Sequence, residues 1–445
     1  MTEARTEPAV FGLSRILSAW HDPDARILNV DLLAVLIAIM LPWSTSGVAI
    51  AVVLWVVALV PTIEWRALLR SLMRPVSALP IAIFVLALLG TLWSDASWSA
   101  RLYAIGPTAK LLMLPLLLYH FQRSPRGAWV FIAFLASCTL LMLVSWVVLI
   151  DPNLSLKEQV SSGIYTPTKG IFVKNYIDQS QEFALCAVAL AYPVMILLRT
   201  GKVERAALLG AIALCFVVNM AFVIVSRTTL VTMPILLAAF ALLHLKWRTN
   251  VIIFCAALVL SGLAWAASPQ LQRTTTTFMR DYQLYKADNV ATSIGIRLEF
   301  WRKSLRFVSE APIVGHGTGS MRGLFELAAT GSEASASGQV VGNPHNQTLN
   351  VAIQWGVLGV AVLYAMWALH LKLFRGEGLA AWIGLLVVVQ NIITSLFNSH
   401  LFDFHEGWMY VLGAGVAGGM VLSARREIVI PGRIEDANYG AQLRP

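Results

Sequence analysis

Long apolar runs are the feature that most constrains this chain. About twelve of them can cross roughly 30 Å of hydrocarbon, if short or tilted helices are included. Of the 445 residues, 58% are hydrophobic and only 13% are charged, whereas a soluble domain carries about 25% charged residues. The pattern therefore predicts an all-α polytopic membrane protein. The spans are expected at 28–43, 46–63, 76–93, 102–119, 128–150, 179–198, 206–225, 229–245, 250–267, 346–369, 379–398 and 407–423.

Lysine and arginine residues cluster in every second connection between these runs. They concentrate in the tails 1–27 and 424–445 and in the connections that start near 66, 123, 199, 246 and 372. The opposite short connections carry only Arg101 and Arg227. Cytoplasmic loops are enriched in Lys and Arg, so both tails are predicted to be cytoplasmic. The net charge of +9 is then a topology signal, and no nucleic-acid partner is expected.

Two connections are long, and both fall on the outer side of this topology. The first, 151–178, interrupts the nine spans of 28–267, and the second, 268–345, is large enough for a small subdomain before the three spans of 346–423. Loops of this length are usually functional or disordered. Within the second loop, residues 294–308 are amphipathic at helical spacing. This pattern predicts a helix that either lies on the outer membrane surface or packs against the protein.

A histidine and an amide stand side by side at the outer entrance of the tenth predicted span. Nine residues separate Asn346 from Gly356, and Gly359 follows. A histidine can take or give a proton near neutral pH, and the two glycines are predicted to let a neighbouring helix approach closely. Asn346, Asn350 and Gln354 are spaced by four residues, so they share one face of the helix. Hydrogen bonding between helices is the ordinary role of such amides.

Several cations lie on the outer side, against the usual charge bias. Arg227 sits in a predicted turn of about three residues, where a guanidinium could hold a phosphate in a bidentate fork or reach out to lipid headgroups. Arg297 lies on the amphipathic stretch, where it is either a solvated charge or an anion ligand. Lys174, Arg101 and Lys110 are further outer cations, and each taken alone is more often structural than catalytic.

A compact group of His400, Asp403, His405 and Glu406 lies in the outer connection between the last two spans. Its side chains are of metal-ligating types, but groups of charged residues are common in loops, and no metal is expected. Asp403 is alternatively expected to orient a histidine or a substrate hydroxyl. The glycine-rich segment 315–319 predicts a turn, because it lacks the lysine and the preceding strand of a phosphate-binding loop.

The His345-Asn346 pair, followed after nine residues by Gly356-Val-Leu-Gly359, resembles the signature of the O-antigen ligase and polymerase superfamily. Arg227 in a short outer turn and Arg297 in the large loop are similar to the two key arginines of that family. The segment 315–319 resembles its usual loop, although His316 stands where an apolar or small residue is expected. Twelve spans with two large outer loops and both ends inside match the family plan.

This resemblance implies a GT-C-like glycosyltransferase of the bacterial inner membrane that needs no metal or other cofactor. Such an enzyme takes a glycan from undecaprenyl diphosphate on the periplasmic face, and in a ligase the acceptor is the lipid A–core oligosaccharide. His345 would be the general base, and Arg227 and Arg297 would hold the diphosphate. The candidate substrate-binding residues are Asn346, Lys174, Arg101, Lys110 and Asp403.

The chemistry of this reaction agrees with those residue types. A departing diphosphate needs charge stabilisation, which two arginines supply, and a weakly acidic sugar hydroxyl needs a base. One base face and one leaving-group face predict inversion at the anomeric carbon. The ligase is favoured because 268–345 carries eight Lys/Arg against six Asp/Glu, which suits an anionic core lipid. The alternatives are an O-antigen polymerase, a protein O-oligosaccharyltransferase, or a polysaccharide transporter, whose charges would lie near the membrane midplane.

Overall fold

The computed structural model describes residues 22–429, apart from 157, 162–163, 168–169, 225 and 333. Within that part the fold is helical except for one short antiparallel hairpin and one isolated bridge. The elements are α1 (Pro23–Met40), α2 (Thr45–Leu59), α3 (Trp65–Leu72), α4 (Pro75–Leu89), α5 (Trp98–Ala109), α6 (Met113–Phe121), α7 (Gly127–Ile150), β1 (Glu158–Ser161), β2 (Ile164–Pro167), α8 (Tyr176–Ala189), α9 (Ala191–Arg199), α10 (Val203–Phe222), α11 (Arg227–His244), α12 (Trp247–Ala267), α13 (Pro269–Asp288), α14 (Ser293–Glu310), α15 (Met321–Leu327), α16 (Gln347–Leu373), α17 (Leu379–Thr394) and α18 (Phe404–Val429).

Nine of the described helical segments are long and apolar enough to cross a membrane, or ten if the bent pair α3–α4 counts as one span. Two of these spans continue across a short break, α5 into α6 and α8 into α9. Every predicted apolar run contains a helix, so the all-α polytopic membrane protein is confirmed. The number twelve is not, because α1 carries Asp24, Arg26 and Asp31, and α17 has only 16 residues.

The centre of the bundle is α18, which packs against α6 and α17. Small residues on α18 allow this close approach: a Cβ added to Gly415 would lie 2.7 Å from Leu117 Cβ, and one added to Gly419 would lie 2.7 Å from the Phe121 backbone. Helices in a membrane gain stability from such tight van der Waals contact, since lipid offers no hydrophobic drive for their association. This packing fixes the start of α18, where several of the polar residues of the candidate site lie.

The two long connections have different structures. In the first, β1 pairs with β2 so that Glu158 lies opposite Pro167. The second contains α13, α14 and α15. The predicted amphipathic helix is present as α14, and it packs on protein: Phe300 and Phe307 are buried with Phe325 and Ile353. The packed alternative for this helix is therefore the one observed.

α16 is broken at Gly356, whose φ of 60° and ψ of −156° are not helical. The glycine turn, Gly315–Gly319, fills the break: the backbone amides of His316 and Gly317 donate to the carbonyls of Ile353 and Gln354 at 2.8 and 2.9 Å. A break in a helix within the membrane is tolerated where such partners satisfy the freed backbone groups. The expectation that Gly356 lets a neighbouring helix approach is wrong, because its neighbour is the Ile313 backbone of a loop.

Candidate active site

His345 lies in the turn just before α16, two residues ahead of its first helical residue. Its backbone is left-handed, with φ 54°, a conformation that costs a residue with a side chain about 1–3 kcal/mol. The Asn343 side chain holds this turn, because its Oδ1 accepts the His345 backbone N–H at 2.9 Å and the Ser399 hydroxyl at 2.7 Å. The Phe300 ring lies nearly parallel to the imidazole, with centroids 6.2 Å apart. These contacts fix the position of the imidazole ring.

Asn398 connects this imidazole to a carboxylate. His345 Nδ1 lies 2.9 Å from Asn398 Oδ1, and Asn398 Nδ2 donates to Asp403 Oδ2. Asn343 Nδ2 donates to the same Asn398 Oδ1 at 3.0 Å. An amide oxygen only accepts hydrogen bonds, so this arrangement assigns the proton to Nδ1 and leaves the Nε2 lone pair available. We call Asp403, Asn398 and His345 the orienting network.

The protonation state of His345 follows from its surroundings. Burial lowers the pKa of His345 below its ordinary value of 6.5, the hydrogen bond to Asn398 opposes this, and the Arg297 charge lowers the pKa further. The imidazole is therefore neutral at neutral pH. A neutral imidazole with a free Nε2 has the protonation state that a general base requires.

Arg227 and Arg297 come from different helices. Arg227 is the first residue of α11, and two of its guanidinium nitrogens lie 3.3 and 3.4 Å from Asp281 Oδ2. Arg297 on α14 is half-buried and makes no hydrogen bond or ion pair with any residue that the structure describes. Burial lowers the pKa of Arg297, Tyr176 raises it, and the Arg227 charge lowers it again. The Arg297 charge also lowers the pKa of His345.

An acidic cluster adjoins the orienting network. It consists of Asp178, His400, Asp403, His405 and Glu406. His400 Nε2 lies 3.8 Å from Glu406 Oε1 and 4.0 Å from Asp403 Oδ2, and His405 Nδ1 lies 2.7 Å from Asp178 Oδ2. Burial lowers the pKa of His400 to about 4 and raises the pKa of Asp403 to about 6. The cluster expected at 400–406 is thus compact in space, and Asp178 of α8 joins it.

The acidic cluster is also the place where a metal ion would fit. One ligand atom each from His400, Asp403 and Glu406 lies within 4.8 Å of the others, a spacing that suits a divalent cation. A cavity of about 290 Å³ borders these side chains. A larger cavity of about 370 Å³, between α7, α8 and α17, has an almost entirely apolar lining. The prediction of a metal-independent site stays a prediction.

Two of the five candidate substrate-binding residues support loops and helix ends. Asn346 caps α16: its Oδ1 accepts the Leu349 backbone N–H at 3.0 Å, and its Nδ2 donates to the Leu396 carbonyl. Arg101 donates to the carbonyls of Ala96 and Thr91 at 2.7 and 2.8 Å. Both side chains therefore have structural partners, which counts against direct contact with substrate.

Lys174 and Lys110 are buried with partners of their own. Lys174 Nζ donates to Glu182 Oε1 at 2.6 Å and to the Leu41 carbonyl. Lys110 Nζ donates to the backbone carbonyls of Phe402 and Asp403, so it holds the turn that carries the fifth candidate, Asp403. A buried ammonium that satisfies its hydrogen bonds in this way is not free to bind a substrate phosphate. Only Asp403 among the five belongs to the orienting network.

The structure also brings in residues that the sequence did not single out. Asn398 and Asn343 hold the imidazole, and Asp281 pairs with Arg227. Polar residues at the ends of apolar runs are the one signal that points to the two asparagines. Nothing in the sequence links Asp281 to Arg227, because they meet only through the packing of α13 near the start of α11.

The three candidate catalytic residues lie in a segment of the chain that matches a family model. Residues 211–364 match the family model described as O-antigen ligase. This segment of the chain is therefore similar to the O-antigen ligase family. The matched segment runs from α10 into α16, so it contains Arg227, Arg297 and His345, whereas Asn398 and Asp403 lie beyond it. No curated protein matches the chain.

Proposed function

We propose that the protein is an O-antigen ligase that transfers a glycan from undecaprenyl diphosphate to the lipid A–core oligosaccharide on the periplasmic face of a bacterial inner membrane. The family match supports the class of reaction. The observation that carries the proposal is an imidazole held at Nδ1 by Asn398, together with the half-buried Arg297, which has no partner among the described residues. In this proposal the base and the leaving-group residues serve a single reaction centre.

His345 is the general base of this reaction. Its Nε2 takes the proton of the acceptor hydroxyl as the hydroxyl oxygen attacks the anomeric carbon. The new C–O bond forms while the bond from the anomeric carbon to the phosphate oxygen breaks, and undecaprenyl diphosphate leaves with that electron pair. General-base help of this kind is worth about 10²–10⁴-fold in rate. One displacement inverts the anomeric configuration, so a retained linkage assigned by NMR would contradict this step.

The arginines stabilise the diphosphate as it departs. Arg297 is half-buried and unpaired among the described residues, so its guanidinium is available for paired hydrogen bonds to phosphate oxygens. Arg227 exchanges its long contact with Asp281 for the phosphate. Preorganised donors of this kind are typically worth about 10²–10³-fold each in rate. Because they neutralise the leaving group, the reaction as proposed needs no metal ion.

The acceptor distinguishes the closest alternatives. An O-antigen polymerase or a protein O-oligosaccharyltransferase uses the same base and the same arginines, but it transfers the glycan to a second lipid-linked glycan or to a protein. A polysaccharide transporter transfers nothing. The family match supports the transferases over the transporter.

One reconstituted assay tests the proposal. Purified protein is mixed with synthetic undecaprenyl-diphosphate glycan and defined lipid A–core in the presence of EDTA, and the product is measured by mass spectrometry. We expect transfer by the wild type, a loss of about 10²–10⁴-fold in His345→Ala and a loss of about 10²-fold or more in Arg297→Gln. Arg306→Gln is the matched control, since Arg306 lies on the same helix but is exposed and paired with Glu310.

Each alternative produces a different result. If the protein elongates the lipid-linked glycan when core lipid is absent, it is a polymerase and not a ligase. In cells, loss of a ligase leaves lipid-linked glycan uncapped on the outer face, whereas loss of a transporter traps it on the cytoplasmic face. If His345→Ala were as active as the wild type, His345 would not be the general base.

A further inference from the structure

The cavity of about 290 Å³ lies between the start of α8 and the start of α18. Its volume is close to the lower end of small-ligand sites, about 300 Å³. Asn398 and Asp403 of the orienting network line the cavity, and Asn398 Oδ1 lies 2.9 Å from His345 Nδ1. His400 lines the cavity. The cavity therefore adjoins the proposed reaction centre.

The lining of this cavity suits hydroxyl groups. Three carboxylates, Asp178, Asp403 and Glu406, border it, and no lysine or arginine does so in the part of the chain that the structure describes. His400 Nδ1 and Glu406 Oε1 are buried and have no hydrogen-bond partner among the described residues. Buried polar atoms normally have partners, so these two atoms point to a polar ligand. Carboxylate oxygens accept hydrogen bonds from hydroxyls, and Phe404 adds an aromatic ring to the lining.

We infer that this cavity binds the sugar that receives the glycan, and that this sugar is a neutral or amino sugar without a phosphate or carboxylate. The inference rests on the proposed function and narrows its acceptor. Carboxylates accept hydrogen bonds from hydroxyl and ammonium groups but repel a phosphate, and such like-charge contacts are strongly unfavourable at a binding surface. The two substrates therefore bind at different places: the diphosphate lies at the arginines, and an acceptor ring without negative charge lies at the carboxylates.

Direct binding tests this inference apart from transfer. Wild-type protein in detergent is titrated, without donor and with EDTA present, with a lipid-anchored oligosaccharide that ends in a neutral hexose, and with the same compound phosphorylated on that hexose. We expect at least tenfold tighter binding of the neutral compound. Asp178→Asn should weaken its binding about tenfold, as expected for a lost hydrogen bond to a charged group. Glu326→Gln, an exposed carboxylate paired with Arg322, is the matched control.

The outcomes separate the two proposals. Equal or tighter binding of the phosphorylated compound overturns the acceptor assignment, and so does neutral-sugar binding that requires a divalent cation. Selective neutral binding without any transfer would contradict the ligase proposal while supporting the cavity assignment. The comparison of acceptors on the wild type needs no variant, so a folding defect in Asp178→Asn does not affect it.

A second feature, α3, lies across the opposite end of the bundle and is independent of the reaction. Its axis is bent by 77° from that of α4. Leu68 is buried, whereas Trp65, Leu69 and Met73 are 66%, 57% and 81% exposed. Residues four apart share one face of a helix, so these three form an apolar stripe. A short helix with such a stripe, lying across a span, has the geometry of a helix at the membrane interface.

A stripe of arginines lies beside the apolar stripe: Arg66 and Arg70 are on α3, and Arg74 is in the turn that joins α3 to α4. Arg66, Arg70 and Arg74 each follow an apolar residue of the first stripe by one position, a rotation of about 100°. None forms an ion pair with a carboxylate among the described residues; Arg74 donates to Gln122 Oε1 at 3.0 Å. Burial lowers the pKa of Arg74, and the charges of Arg426 and Arg70 lower it further. The three arginines therefore carry their positive charges without a carboxylate partner among the residues that the structure describes.

We propose that this arginine stripe binds the headgroup of an anionic phospholipid while the apolar stripe enters the acyl region. Each arginine near an anionic membrane surface is worth about fivefold in binding, so three give on the order of 100-fold. Native mass spectrometry of purified protein titrated with cardiolipin tests this. We expect Arg66→Gln/Arg70→Gln/Arg74→Gln to lose on the order of 100-fold in affinity, and Lys202→Gln/Arg205→Gln/Lys246→Gln, which removes the same charge at the same end, to lose far less. Equal losses in the two variants, or displacement of cardiolipin by excess inorganic phosphate, would overturn the proposal.

Discussion

The change Asn398→Ala tests the orienting network directly. Asn398 Oδ1 is the partner of His345 Nδ1 at 2.9 Å and of Asn343 Nδ2 at 3.0 Å. Removing it leaves both donors without that acceptor, and an unsatisfied buried donor costs about 1–3 kcal/mol. If this cost falls on the transition state, where the imidazolium forms, kcat drops about 5–150-fold. The loss in His345→Ala, about 10²–10⁴-fold, should be larger.

The pH dependence of this variant has a defined sign. In the wild type the Asn398 bond raises the pKa of His345, while burial and the Arg297 charge lower it. Without Asn398 only the lowering causes remain, so the pKa falls further. The acid limb of kcat/KM, below which His345 is protonated and inactive as a base, should therefore move to lower pH in Asn398→Ala.

The assay is initial-rate transfer across the acid and neutral range, measured by mass spectrometry with donor below saturation. Asn153→Ala is the matched control, because Asn153 is an exposed asparagine in the first long connection and has no contact with the imidazole. In a His345→Ala background, Asn398→Ala should cause no further loss, since both residues act through one group. A wild-type kcat, an acid limb that moves upward, or additive losses in the double variant would each contradict the role of Asn398.

Three further predictions concern the metal, pH and α16. Transfer should persist in EDTA, and a loss restored by a divalent cation would instead assign a metal to the acidic cluster. Burial raises the pKa of Asp403 from 3.8 to about 6, so its neutral form favours the folded state. That stabilisation is complete below about pH 4 and is lost as pH rises through about 6. Asp403→Asn should therefore raise Tm by about 1–3 °C at pH 8 and by less as the pH falls towards 4, while transfer falls. A pH-independent Tm change would contradict this. Gly356→Ala should destabilise the fold by about 3 kcal/mol or more in a thermal scan, because φ at Gly356 is 60° and the new Cβ would lie 2.3 Å from the Ile313 backbone. The control is Gly323→Ala, whose new Cβ meets open space. This control should unfold at or slightly above the wild-type temperature.

The fold class followed from the sequence with little ambiguity. Apolar runs must become helices in lipid, since every backbone amide there needs a partner within the chain, and each predicted run contains a helix. The number of spans was less predictable. α1 contains charged residues that find partners only in the folded bundle, such as Asp31 with His120 at 2.7 Å, so a hydropathy pattern alone does not decide whether it crosses.

The break in α16 shows a different limit. The sequence marks Gly356 as permissive but does not say what approaches it. Only the folded chain places the 313–317 segment against the break, where His316 and Gly317 donate to the freed carbonyls. A glycine fits equally well beneath a helix or beneath a loop, so composition does not distinguish the two.

By itself the sequence determined that this is a helical membrane protein, and it singled out His345, Arg227 and Arg297 as residues of interest, because hydropathy and charge are local properties of the chain. Only the tertiary structure decided which polar groups meet. Asn398 lies 53 residues from His345, and Asp281 lies 54 residues from Arg227. The tertiary structure also decided that Lys174, Lys110 and Arg101 have structural hydrogen-bond partners, because the packing of helices that are distant along the chain determines which groups meet.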